Sequence, residues 1–188
     1  MTVTAHPERP ATLELAADSL TPVAAALRLG ARCAFLLESV EEGARYGRYS
    51  FVGVRGRVLL VTGARARLID AAGNVVDERE ADDPLEALRR VLPPPRASIG
   101  ADAFPTSAGV GYLAYEAAAR WEPVPVPEAD PLGFPDAVFH LPEAVIAFDH
   151  LAQVARLIGS GAETDLDRLR AVAGLLGRPV PEESPLAV

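Results

Sequence analysis

Residues 49–80 read YSFVGVRGRVLLVTGARARLIDAAGNVVDERE, and this stretch decides the fold class. Four short runs, Tyr49 to Val54, Arg57 to Thr62, Arg65 to Asp70 and Val75 to Glu80, are punctuated by Gly53, Gly56, Gly63 and the Ala72-Gly73-Asn74 turn. Short apolar or β-branched runs at hairpin spacing form an antiparallel meander. No helix fits between them, and parallel strands need a long crossover, so a parallel sheet is not supported.

The same grammar extends in both directions. On the N-terminal side, Cys33-Ala-Phe-Leu-Leu-Glu38 is an apolar run too short for a helix and reads as a buried strand. Before it, Pro22 to Leu29 is a helix: Thr21 can cap it, proline suits its first position and Gly30 stops it. On the C-terminal side, Asp83-Pro84 opens a second helix with Leu85, Leu88, Val91 and Leu92 on one face, ended by Pro93-Pro94-Pro95. Ala108 to Tyr115 is a strand of small residues, and the alternate prolines of Glu122 to Pro127 make an extended connector. Ala144 to Phe148 and Gln153 to Ile158 form a hairpin around Asp149-His150, and Asp165 to Leu176 is a last amphipathic helix. We expect residues 1–11 to be a flexible N-terminus, 12–178 a single domain, and 179–188 a linker-like tail.

Composition removes several function classes. The chain has 188 residues and a net charge of -8, and its 18 basic residues are all arginine and nowhere gathered into a stripe, so nucleic acid is not an expected partner. Without lysine there is no Schiff-base or P-loop chemistry. One cysteine, Cys33, allows no internal disulfide, and no signal-peptide run or uninterrupted membrane-length apolar run occurs. The expectation is a cytoplasmic protein with no membrane partner.

Local motifs give no catalytic set. Gly109-Val-Gly111-Tyr-Leu-Ala114 matches a dinucleotide fingerprint on paper, yet it lacks the strand before and the helix after that the fingerprint requires; glycines allowing close backbone packing are the better reading. His6, His140 and His150 lack metal spacing, Cys33 reads as a small buried hydrophobe, and Ser39, Ser50 and Ser107 lack a nucleophile elbow. One place stands out: Glu38-Ser39 ends a buried strand and Arg48-Tyr49 begins the next. A carboxylate and a guanidinium at the rim of an apolar slot suit the ammonium and carboxylate of an amino acid. The same residues could instead form a hairpin with an ordinary salt bridge.

At these residues the chain resembles a known family. Phe35-Leu-Leu-Glu-Ser39, Gly47-Arg-Tyr-Ser-Phe-Val-Gly53, Gly109-Val-Gly-Tyr-Leu-Ala-Tyr115, Asp130-Pro-Leu-Gly-Phe-Pro-Asp136 and Phe148-Asp-His150 are similar, in order and spacing, to the N-terminal region of anthranilate synthase component I, a chorismate-utilising enzyme. The resemblance covers about residues 12 to 160. It implies an α/β fold of the α+β type, with antiparallel sheets packed as a sandwich with a few helices, and an L-tryptophan feedback-inhibition site between the sheets. The site residues carry over to Glu38 and Ser39, with Arg48, Tyr49 and Ser50 nearest to where some members place a ligand-contacting lysine. Ala108 stands where the family usually has the first of two glycines.

The resemblance also implies that the chorismate and Mg²⁺ residues lie in a C-terminal region absent from this chain. The expected role is therefore the regulatory part of a lyase of tryptophan biosynthesis. By itself the chain is expected to be inactive and to bind no cofactor. Expected partners are L-tryptophan, the missing chorismate-binding region and a glutamine amidotransferase subunit, component II. The corresponding region of aminodeoxychorismate synthase component I and a stand-alone amino-acid-binding module are the alternatives.

Overall fold

The computed structural model describes residues 11–16, 20–38, 47–92, 108–126, 132–160 and 166–180. In chain order the elements are β1 (Thr12–Ala16), α1 (Pro22–Leu29), β2 (Cys33–Leu37), β3 (Tyr49–Val54), β4 (Arg57–Thr62), β5 (Arg65–Ile69), β6 (Val75–Glu80) and α2 (Pro84–Val91). They continue with β7 (Val110–Leu113), β8 (Ala137–Leu141), β9 (Ala144–Asp149), β10 (Val154–Gly159) and α3 (Leu166–Leu176). Short 3-10 turns follow α1 and β7. The strands form two five-stranded antiparallel sheets, ordered β1-β10-β9-β3-β2 and β6-β5-β4-β8-β7. Two antiparallel sheets with a few helices are the fold class expected from the sequence.

The chain divides into two compact units. One holds the described residues of Met1–Arg55 and Glu143–Val188, the other those of Gly56–Pro94 and Ser107–Pro142. In the first unit, alternation along β3 sends Val52 and Val54 to one face, where Ile146, Phe148 and Leu157 join them. That face is covered by Ala25 and Leu29 of α1 and by Leu169, Val172 and Leu176 of α3. The spacing of those α3 residues gives the helix one apolar stripe. The Thr21 hydroxyl accepts the Ala24 N–H at 3.1 Å and Gly30 adopts a φ of 54°, so α1 starts and stops where the sequence signals it should. Arg28 then donates through Nη1 to the Leu176 carbonyl at 2.9 Å, satisfying a helix-end acceptor of α3.

In the second unit, Leu59, Val61, Ala66, Leu68, Ala137, Phe139 and Leu141 pack beneath Ala87, Leu88 and Val91 of α2. Asp83 caps that helix, accepting from the Leu85 and Glu86 N–H groups at 2.7 and 3.3 Å. Arg120 ties the loops together: it donates to the carbonyls of Asp82 and Gly63 at 2.7 and 2.8 Å and to Asp136 at 3.0 Å, while Asp136 accepts the Gly63 N–H at 2.7 Å.

The structure amends several expectations. β3 does not pair with β4; it lies between β2 and β9, and the chain passes at Arg55-Gly56 from one sheet to the other. β1 and β8 were not foreseen. The strand expected over Ala108 to Tyr115 is shorter, Val110–Leu113, because Tyr115 already begins a 3-10 turn. Residues 1–10 and 181–188 and the expected helix start at Asp165 lie outside the described residues. Among the described residues no helix is long and apolar enough to cross a membrane.

Candidate functional site

Three strand ends meet at one end of the first unit's sheet. Glu38 directly follows β2, Arg48 directly precedes Tyr49 and Ser50 at the start of β3, and His150 directly follows Phe148 and Asp149 at the end of β9. The register sets Leu37 against Phe51, Tyr49 against Asp149 and Ser50 against Phe148. Alternation then divides the predicted residues between the two faces. Ser50 points with Val52 and Val54 toward the helix-covered side and is 1% exposed. Tyr49 points the other way with Phe51, the two rings stacked 6.2 Å apart at 22°. On that second face Phe35 lies against Gly53, where any Cβ would collide with its ring.

The charge arrangement is dominated by an ion pair that sequence reasoning missed. Arg48 donates through Nε to both oxygens of Asp149, at 3.1 and 3.2 Å, and through Nη2 to Oδ2 at 2.7 Å. Asp149 is almost wholly buried, 4% exposed against 34% for Arg48. Its Oδ1 also accepts the N–H groups of Leu151 and Ala152, each at 3.1 Å, and so braces the turn into β10. The Arg48 hydrogen bonds are the largest influence on this carboxyl; with the turn amides they outweigh desolvation and hold it at about 2. The guanidinium lies over the Tyr49 ring at 4.9 Å, adding a cation–π contact.

Beside this pair, the buried Ser50 hydroxyl meets His150 Nε2 at 2.8 Å, and the His150 backbone N–H donates to the Arg48 carbonyl at 2.9 Å. The pair is no hydrolytic dyad: Ser50 is buried, and the neighbouring carboxylate is bonded to Arg48 rather than to the imidazole. Glu38 is exposed and makes no ion pair among the described residues; Arg48 pairs instead with Asp149, across the sheet on β9. Ser39 lies outside the described residues. Of the five predicted residues, Arg48, Tyr49 and Ser50 are brought together, with Glu38 on the adjoining strand end. The sequence signal for the missed partners was the Phe148-Asp-His150 block, but only the β3–β9 register joins it to Arg48 and Ser50.

The other candidates resolve structurally. Cys33 is half-buried, its thiol pushed up by desolvation despite a contact from Sγ to the Phe35 carbonyl at 3.6 Å. A thiol held protonated is a poor nucleophile. At Gly111 a Cβ would collide with the Val138 carbonyl, so this glycine serves the close pairing of β7 with β8 rather than a phosphate. Among the described residues no group of three or more His, Cys, Asp or Glu side chains could hold a metal ion.

Residues 32–183 match the family described as chorismate binding enzyme. Anthranilate synthase component 1 of Thermus thermophilus is 40% identical over 162 residues, covering 84% of this chain and 33% of that protein. The corresponding protein of Mycolicibacterium smegmatis is 32% identical over 194 residues, covering 94% and 37%, and a probable one of Schizosaccharomyces pombe is 34% identical over 147 residues, covering 76% and 26%. The chain thus spans about a third of the length of such relatives. The crystal structure of anthranilate synthase component I from Streptococcus pneumoniae aligns with a TM-score of 0.52 and 21% identity, over 85% of this chain and 34% of that one, and shares the fold.

Proposed function

The chain belongs to the chorismate binding enzyme family, and we propose that within it this chain is the N-terminal regulatory part of an anthranilate synthase component I, carrying an L-tryptophan feedback site. The observation that carries this reading is the similarity to anthranilate synthase component 1 over most of this chain and only a third of the relative. In this reading the chemistry of chorismate and Mg²⁺ belongs to the remaining two thirds of such a protein. Ammonia is supplied there by a component II amidotransferase.

The strand-end cluster supports an aromatic amino acid as the ligand. Glu38 offers an exposed carboxylate to the ammonium, Ser39 follows it, and Arg48, Tyr49 and Ser50 organise the facing strand. The stacked Tyr49 and Phe51 rings supply a flat apolar surface of the kind an indole needs. The consistent naming of the relatives favours anthranilate synthase over aminodeoxychorismate synthase.

The test is titration of the full chain with L-tryptophan by calorimetry, beside a fluorescence assay for anthranilate with chorismate, Mg²⁺ and ammonia. We expect L-tryptophan to bind and Glu38→Ala to weaken it about tenfold to a hundredfold, the loss of one charge-assisted bond of roughly 1.5–3 kcal/mol. No anthranilate should form. A chain that binds no L-tryptophan at millimolar ligand, or that turns chorismate over, would overturn the proposal.

A further inference from the structure

We infer that His150 is the residue that meets the carboxylate of the amino-acid ligand, through its Nδ1–H, and that buried Ser50 is the positioning residue that fixes the imidazole for this task. The inference rests on the amino-acid-binding reading above. It begins from a reassignment the geometry forces: the sequence offers Arg48 as the carboxylate-binding cation, but three hydrogen bonds commit that guanidinium to the buried Asp149. Withdrawing it would leave Asp149 buried without its countercharge, which is strongly unfavourable.

His150 stands next to this pair and is exposed. Its backbone is fixed by the N–H donated to the Arg48 carbonyl at 2.9 Å, and its ring by Ser50 at 2.8 Å. The polarity of that second bond decides what the ring can do. Ser50 is 1% exposed, and the imidazole is its side-chain partner; a buried hydroxyl donates its proton rather than leave it unsatisfied. Nε2 therefore accepts, and the neutral ring carries its proton on Nδ1. Ring geometry aims that N–H away from Ser50, as a donor held in one orientation beside Arg48 and within the same strand-end cluster as Glu38. A fixed N–H donor suits a carboxylate, while the Glu38 carboxylate suits an ammonium, so the two ends of an α-amino acid have separate partners. Ser50, by contrast, is turned to the helix-covered face and acts through His150.

Two measurements on the full chain test this. Nitrogen-15 NMR of the imidazole in its neutral form should show the Nδ1–H tautomer in the wild type and lose that preference in Ser50→Ala. Calorimetry should then compare L-tryptophan with tryptamine, which lacks the carboxylate. His150→Leu should weaken L-tryptophan about tenfold or more and leave tryptamine unchanged, and His150→Asn, whose amide nitrogen can stand near the Nδ1 position, should restore most of the loss. An Nε2–H tautomer overturns the inference whatever binds. So does undiminished L-tryptophan binding by His150→Leu, or equal weakening of both ligands, which would make His150 a clamp for the turn. A wild-type chain that binds no L-tryptophan overturns the amino-acid reading and the inference with it.

Discussion

Replacing Asp149 with Asn removes the charge at the centre of the strand-end cluster while keeping the size of the side chain and one oxygen for the turn amides. The magnitude follows from how far the fold depresses this carboxyl, from an ordinary 3.8 to about 2. That difference corresponds to about 2 kcal/mol of stability at neutral pH. Because Arg48 is a third exposed, solvent screens its side of the pair and this figure is an upper one. The sign is that of a depressed acid: the contribution is fully present above the unfolded-state value near 3.8 and is lost as pH falls through about 2. Urea unfolding of wild type and Asp149→Asn, followed by circular dichroism between pH 7 and pH about 2, should therefore show a gap of roughly 1–2 kcal/mol that closes at the acid end. Arg48→Met combined with Asp149→Asn should cost little more than either change alone, since both remove one interaction. A gap that stays constant with pH, or widens in acid, would refute the assignment of the ion pair as the source of the stability.

Two further substitutions probe the scaffold. Gly111→Ala places a methyl group against the Val138 carbonyl and should cost roughly 1–3 kcal/mol in urea unfolding, with hydrogen exchange accelerated along β7 and β8; an unchanged midpoint would show that the strand pair can shift to accept it. The raised Cys33 thiol should react with Ellman's reagent near pH 8 several-fold more slowly than a free cysteine, and a rate equal to the free thiol would contradict its burial.

How much of this was legible in the sequence depends on how far apart the interacting residues lie. Thr21-Pro22 and Gly30 delimit α1 because cap and stop act within a few residues, and β4, β5 and β6 emerge from glycine punctuation and a single turn. β1 and β8 were missed: Thr12–Ala16 is short and carries a glutamate, and Ala137–Leu141 sits among prolines; tertiary pairing with β10 and β4 makes them strands. Adjacency of β3 and β4 in sequence suggested a hairpin, whereas β3 obtains both its neighbours from β2 and from a strand that starts ninety residues later. The candidate site shows the same division. Glu38 and Arg48 flank one connection and could be read as a rim, but Asp149 is 101 residues from Arg48 and His150 is 100 from Ser50. No local pattern encodes a register of that span.

The interleaving of the two units has a consequence for biosynthesis. β3 needs β9 beside it, and between them the chain makes an excursion through the whole of the second unit before Glu143 donates its N–H to the Val54 carbonyl at 3.1 Å. At a ribosomal rate of roughly 5–20 residues per second, β2 and β3 wait about 5–20 s after emerging before their sheet can be completed. During that interval the antiparallel hairpins of the nested unit can close on local contacts. A preformed insert brings Val54 and Glu143 together at a smaller entropic cost than an open loop of the same length would. The nascent chain is thus drawn toward an order of assembly, inner unit first and the β2–β3–β9 strands last, and a ribosome stalled before β9 would hold β2 and β3 without their partner.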